Sequence, residues 1–413
     1  MSSLTVAPEV AAGSAGSRPS ITGTTPPSAS TEVASPKRPY LHHVDLIRTT
    51  TFALVIFMHV MTSTTAEFEN MGVNATALLL HGTRNIFFAL TGFVLMYQYL
   101  DRPDFRATSF WRRRMKLVIV PYLVWSALYW VITVMWVNAR LGEVPTSLDE
   151  LGEQLMWGTA AYHLYFLLVM LQAYLLFPLL RKLIMSTRGH HGKVLAVSVA
   201  VQVTVLSLIS YWTPPAGFAA EMWGHLYATV VPYQLLIVIG ALAAAHRDRV
   251  AEMLRGRGEL IGWLFLATGM LAIGAYAHRV IFNGAPIHDP GSPFELTLLP
   301  FIVVAVVALY ALALHWTTHH RAHMPIMAKV VSYASNRSFP VFLVHVMVLF
   351  FLLYPKTDDG QKWLVAALPQ PLATLTVYLL TVTISLAIVE VLRRLPGSLY
   401  LTGRPRLPLK PMI

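Results

Sequence analysis

Two ionisable residues interrupt one of the most apolar stretches of the chain, Arg48 and His59 in RTTTFALVIFMHV. On an α-helix, eleven residues bring the chain back to within about 20° of its starting face and raise it ~16 Å, roughly half of a ~30 Å hydrocarbon core. Arg48 and His59 therefore share one stripe at two depths. An ionisable group at the centre of a membrane helix costs at least ~2.5–3.5 kcal/mol, so such groups face a bundle interior or a wet cavity. Nothing acidic lies within four residues of His59, so any partner must come from another helix. Asp45 lies toward the other side of the span from His59 and is expected to orient Arg48, one turn away.

Other apolar stretches carry comparable groups: Arg84 with His81 one turn earlier, His163, the pair His278–Arg279, and His345. Placed by depth, they fall at mid-to-outer levels of separate spans and suggest a polar cavity open toward the outer leaflet. The alternatives are plain: Arg84 and Arg279 could snorkel to headgroups, and His81 and His163 could be interfacial. His345 could be a neutral ring bonded to a neighbouring helix. On the opposite side, FWRRRMKLVIVPYLVW gathers Arg112, Arg113, Arg114 and Lys116 before an apolar run. That cluster sets topology, and clustered arginines also suit phosphate oxygens.

These groups need a scaffold. The 413 residues are 55% hydrophobic and 12% charged, half the about 25% charge of a soluble domain. Apolar runs of roughly 18 or more residues recur, each long enough to cross a bilayer. The expected fold class is an all-α polytopic membrane protein with ten transmembrane helices, near 46–64, 79–99, 117–137, 162–180, 194–212, 226–245, 260–283, 296–315, 338–354 and 371–392. Residues 1–38, rich in Ser, Thr, Pro, Ala and Gly, predict a disordered tail. Residues 39–395 form the membrane domain, and 396–413 a short basic tail. Of 31 Lys and Arg residues, 25 fall on the side of both termini and three on the other; Arg48, Arg84 and Arg279 lie within spans. That asymmetry places both termini in the cytoplasm. It also accounts for the net charge of +11 through topology and anionic lipid, without nucleic acid. With no cysteine, disulfides, thiolate catalysis and thiolate metal sites are excluded, and no metal is expected.

Five motifs follow one another along the chain. DLIRTTTFALVIFMH holds Asp45, Arg48 and His59; FFALTGF holds Phe87, Phe88, Thr91, Gly92 and Phe93. RRRMKLVIVPY runs from Arg112 to Pro121, HLYFL starts at His163, and SFPVFLVH ends at His345. Their order and spacing over 41–393 resemble the acyltransferase-3 family of integral membrane acyltransferases. That family has Asp-x-x-Arg followed by ten residues and His, then Phe-Phe-x-x-Ser-Gly-Phe, an Arg-rich element before Pro, His-Leu-Trp-Phe-Leu, and a late Ser-x-x-x-Tyr-x-x-x-His. This chain departs at Thr91 for Ser, Tyr165 for Trp and Phe342 for Tyr, with looser spacing from Ser338.

The resemblance implies an O-acyltransferase that moves an acyl group, most often acetyl, from cytoplasmic acyl-CoA to a hydroxyl of an extracytoplasmic glycan or glycolipid. Some members carry a fused extracytoplasmic hydrolase-like domain; this chain is expected to be a stand-alone enzyme without one, in the inner (plasma) membrane, with lipid around it and envelope-biosynthesis or transport proteins as candidate partners. Arg112, Arg113, Arg114 and Lys116, with Arg48, would hold the CoA phosphates. His59 would act as general base on the acceptor hydroxyl, or as a nucleophile forming an acyl-histidine. Arg84 or His163 would stabilise the oxyanion. Asp45, Thr91, Arg279 and His345 are candidate structural or acceptor-site residues. The competing function is a transporter or flippase of an acylated lipid or glycan, since buried Arg and His also serve proton coupling. Against it, the sequence shows neither repeated halves nor a pair of Gly/Pro-broken spans.

Overall fold

A computed structural model describes residues 38–65, 69–134, 144–288 and 292–408. The tail expected to be disordered lies, but for its last residue, outside the described residues. In chain order the helices are α1 (His42–Thr64), α2 (Met71–Tyr99), α3 (Ala107–Ile132), α4 (Val144–Trp157), α5 (Tyr165–Ser186), α6 (His191–Tyr211), α7 (Phe218–Gly224), α8 (Gln234–Ala245), α9 (Arg247–Leu254), α10 (Gly258–Ile281), α11 (Leu299–His315), α12 (Pro325–Leu353), α13 (Trp363–Ala366), α14 (Leu372–Leu392) and α15 (Ser398–Thr402). Among the described residues nine are long and apolar enough to cross a membrane: α1, α2, α3, α5, α6, α10, α11 with its flanking turns, α12 and α14. The protein is an all-α polytopic membrane protein.

The expected span at 226–245 needs correction. It consists of two 3₁₀ turns, Leu226–Ala228 and Val231–Tyr233, followed by the twelve residues of α8. Twelve helical residues rise ~18 Å, well short of a ~30 Å core. Pro232 has no N–H for a helical ladder, and broken backbone at membrane depth must be satisfied by protein. Neighbouring side chains do this. Gln172 of α5 donates to the Ala228 carbonyl (2.7 Å) and accepts from the Val230 amide (3.0 Å). Gln202 of α6 donates to the Pro232 carbonyl (2.8 Å), and Ser198 donates to Gln234 (2.7 Å). Hydropathy counts residue types, so it misses a break whose repair lies on other helices.

The site rests on α1, α2 and α12, whose most apolar windows are 56, 67 and 67% buried, against 17% for α6 and 22% for α10. Lipid tails are as apolar as leucine, so close packing rather than the hydrophobic effect joins such helices. At α2–α8 it is extreme: a Cβ on Gly92 would overlap the Ile237 carbonyl, and one on Gly240 the Ala89 carbonyl. Two glycines thus let the backbones touch. α12 runs 29 residues, beginning 13 before its expected start, because Ser332, Ser335 and Arg337 extend the helix past its apolar part. Arg337 grips Glu390 and ties α12 to α14, and Arg394, one turn beyond Glu390 and just past the end of α14, pairs with the same carboxylate.

Candidate active site

Three histidines from three parts of the chain meet inside the bundle. The His59 ring of α1 stacks 5.6 Å from that of His345 in α12. His163, in the turn before α5, stands edge-on to His345 at 5.2 Å. Tyr162 covers His59 at 4.8 Å, and Phe342 packs on His163 at 5.0 Å. His163 and His345 are 3 and 0% exposed; His59 keeps some exposure as a residue, although its imidazole is as closely surrounded as the other two. No carboxylate contacts the three rings, and no group of His, Asp or Glu could hold a metal ion, among the described residues.

Protonation is constrained at His345. Its Nδ1–H donates to the Phe342 carbonyl at 2.8 Å, leaving Nε2 as the acceptor of the neutral ring. That Nε2 and both ring nitrogens of His163 are buried without a hydrogen-bond partner. Buried unsatisfied polar atoms cost ~1–3 kcal/mol each, so these nitrogens call for a partner such as a water or a substrate group. A residue that the sequence reading passed over braces this spot. Tyr129 of α3 donates its hydroxyl to the Leu343 carbonyl (2.8 Å) and accepts from the Met347 amide (3.0 Å). These are the two groups an α-helix pairs with each other, and His345 sits between them. The available signal was a phenol in an apolar helix, which needs a partner when buried.

Arg84 of α2 lies within electrostatic range of His59, as does His81. It donates to the Tyr165 hydroxyl at 2.8 Å and lies over Phe294 (5.0 Å) and Tyr233 (5.7 Å). Its Nε and Nη2 are buried without partners, and it has no carboxylate among the described residues. An unneutralised guanidinium walled by aromatic rings suits a carbonyl oxygen that becomes anionic. Arg279, by contrast, is paired with Glu295 at 2.6 Å and is 43% exposed; it does not join the histidines. The Thr91 hydroxyl bonds its own Phe87 carbonyl (2.8 Å) and contacts Met170 Sδ (3.4 Å), which makes it a packing group.

The opposite end of the bundle is rich in arginine. Arg48 donates to Ser335 Oγ (3.5 Å), and Ser335 donates to Asp45 Oδ1 (2.7 Å), which also accepts from Tyr40 (2.8 Å). Asp45 thus reaches Arg48 through Ser335 rather than directly. Arg112, Arg113 and Lys116 are exposed; Arg113 leans on the Tyr99 hydroxyl (3.3 Å). Arg114, about 200° round the helix from Arg112, is half-buried and bonds Gln98 (2.5 Å). It lies within electrostatic range of Arg404, beyond α15, which the sequence reading left in a tail. Trp125 holds α15 on α3 through the Leu401 carbonyl at 2.8 Å. Burial first, then Arg48, Arg393 and Arg114, hold the Arg404 guanidinium below its ordinary range, with Tyr40 opposing. Tyr174 lies within electrostatic range of three of these, Arg114, Arg48 and Arg404. Like charges gathered this way raise the positive potential at this end of the bundle, where an anion would be attracted.

A positive potential at one end and an imidazole cluster deeper in the same bundle fit transfer of a group carried by an anionic donor. No curated protein and no solved structure matches the chain. A family model described as an acyltransferase domain matches residues 41–390, nearly the whole chain, and the protein is a membrane acyltransferase of the acyltransferase-3 family.

Proposed function

We propose that the protein transfers an acyl group, acetyl by the habit of its family, from acyl-CoA to a hydroxyl of an extracytoplasmic glycan or glycolipid. In this reading the arginine-rich end and both termini face the cytoplasm, as the 25-to-3 distribution of Lys and Arg favours. The two 3₁₀ turns before α8, together with α8, make the tenth crossing, and the bundle sits in the plasma membrane. Arg48, Arg114 and Arg404 take the CoA phosphates. The thioester reaches His59, ~16 Å further along α1.

The acceptor hydroxyl gives its proton to His59 as its oxygen attacks the thioester carbonyl. The new C–O bond places an electron pair on the carbonyl oxygen, facing Arg84. Collapse breaks the C–S bond, and the departing CoA sulfur takes the proton back from His59. His345 has the better-fixed tautomer but is fully buried, so it serves as a neighbour that orients His59 rather than as the base.

The meeting of three imidazoles within 5.2 to 5.6 Å, of which only His59 belongs to a residue with appreciable solvent exposure, carries this reading. The test compares envelope glycans and lipids by mass spectrometry from cells expressing wild type, His59→Ala, or neither. Wild type adds acetyl groups that the other two lack, with His59→Ala protein present and monodisperse. Acetylation by His59→Ala ends the reading. Movement of a labelled intermediate across vesicles without acyl-CoA consumption favours the flippase instead.

A further inference from the structure

Two apolar cavities open beside α9, away from the histidine cluster. The smaller, about 560 Å³, lies between α2, α6, α8 and α11 and is walled by Phe93, Leu195, Ile239 and Tyr310. The larger, about 1110 Å³, follows α10 and α11 and is walled by Leu80, Ile261, Phe265 and Leu312. Ile86 of α2 and Leu254 of α9 line both, so the two cavities adjoin.

Arginines and histidines flank α9 at both of its ends, and the two arginines among them are cationic. The smaller cavity ends at Arg249 and the His191–His246 pair, joined at 2.6 Å. The larger ends at Arg255, His315 and His319. A π-helical turn, Trp316–His320, stacks His315 on His319 at 4.5 Å, and such turns recur at functional sites. Neither lining contains a carboxylate. Asp248 of α9 is occupied by Arg247 (3.0 Å), and Glu252 lies outside both linings.

We infer that these cavities form one binding site for an anionic phospholipid of the arginine-side leaflet. One acyl chain fills each cavity, and the headgroup phosphate lies between Arg249 and Arg255. The leaflet assignment rests on the orientation proposed above; the binding itself does not. This lipid is distinct from the acceptor, because its headgroup lies at the arginine-rich end, on the opposite side from the proposed acceptor entrance. Two apolar chambers fit two chains, and the cationic ends select against a zwitterionic headgroup.

The test uses the purified full-length protein in nanodiscs with equal palmitoyl-oleoyl phosphatidylglycerol and phosphatidylcholine, and reads retained lipid by native mass spectrometry. Each arginine near the headgroup should contribute about a five-fold preference for the anionic lipid. Arg249→Gln with Arg255→Gln should bring the preference near unity, and Arg255→Lys should keep it. Gly262 lines the larger cavity, and a Cβ there meets nothing within 4 Å. Gly262→Leu should therefore fill the groove without disturbing the helices and lower retention of both lipids.

Equal retention of the two lipids by wild type overturns the headgroup assignment, as does a preference that survives the double substitution. Displacement by excess glycerol 3-phosphate would mark a soluble-anion site instead. A change of oligomeric state in Gly262→Leu without loss of lipid would mark a subunit interface. Acyl transfer measured on the same samples separates this outcome from the proposed reaction.

Discussion

Tyr129→Phe removes one oxygen and keeps the ring that meets His163 edge-on at 5.4 Å. The lost hydroxyl makes two buried contacts, to the Leu343 carbonyl and from the Met347 amide. A neutral hydrogen bond nets ~0.5–1.5 kcal/mol, but Leu343 and Met347 can pair with each other once the hydroxyl is gone. The stability loss should therefore be small, about 1 kcal/mol. The geometric loss should be larger, because the helical turn between those two groups carries His345 against His59. A ~1 Å misplacement in a catalytic constellation costs ~10²-fold, so relaxation of this turn should lower kcat ~10- to 100-fold. KM for acyl-CoA should not change, since the arginine-rich end is untouched.

The assay is initial-rate CoA release by purified protein with an acceptor extract, beside thermal unfolding in the same detergent. A double-mutant cycle with His345→Ala supplies the decisive comparison. If Tyr129 acts through His345, Tyr129→Phe has no further effect once the imidazole is gone. A full kcat in Tyr129→Phe refutes the reasoning, and so do losses that multiply in the double variant.

Arg84→Met should lower the rate ~10²- to 10³-fold with unfolding temperature unchanged or raised, because an unneutralised buried charge is removed; a large loss of stability would show a structural role. Arg114→Gln and Arg404→Gln should each raise KM for acyl-CoA ~10-fold or more, the scale of one charge-assisted hydrogen bond. Arg112→Gln and Lys116→Gln, on exposed positions, should stay within about two-fold, and the reverse ranking would move the phosphate site to the outer face of α3. Gly240→Val should destabilise by at least ~1–3 kcal/mol in thermal unfolding, since its Cβ would overlap the Ala89 carbonyl; an unchanged midpoint would mean that α8 is not held against α2.

Much of the bundle was legible because lipid imposes a simple rule. An apolar run of sufficient length must be a helix, since its backbone has no other partner there. Nine of the expected spans coincide with such helices. The span at 226–245 escaped, because Pro232 breaks it and the compensating amides of Gln172 and Gln202 stand on α5 and α6. Arg404 escaped for a related reason. It is one arginine in a basic terminal segment, and only α15 packing on α3 brings it toward Arg48 and Arg114.

By itself the sequence determined which groups are forced into the membrane interior, and roughly at what depth. Helical rise and periodicity convert the Arg48–His59 spacing into ~16 Å on one stripe, and the order of motifs marks the family. It did not determine which buried groups share a cavity. His59, His163 and His345 are separated by more than a hundred residues at each step, and Arg279 looked as available as Arg84 until Glu295 was found beside it. Depth is a property of one helix and can be counted along a chain. Contact between side chains depends on how helices rotate and cross, which the glycines of α2 and α8 and the Tyr129 brace set only once the bundle has closed.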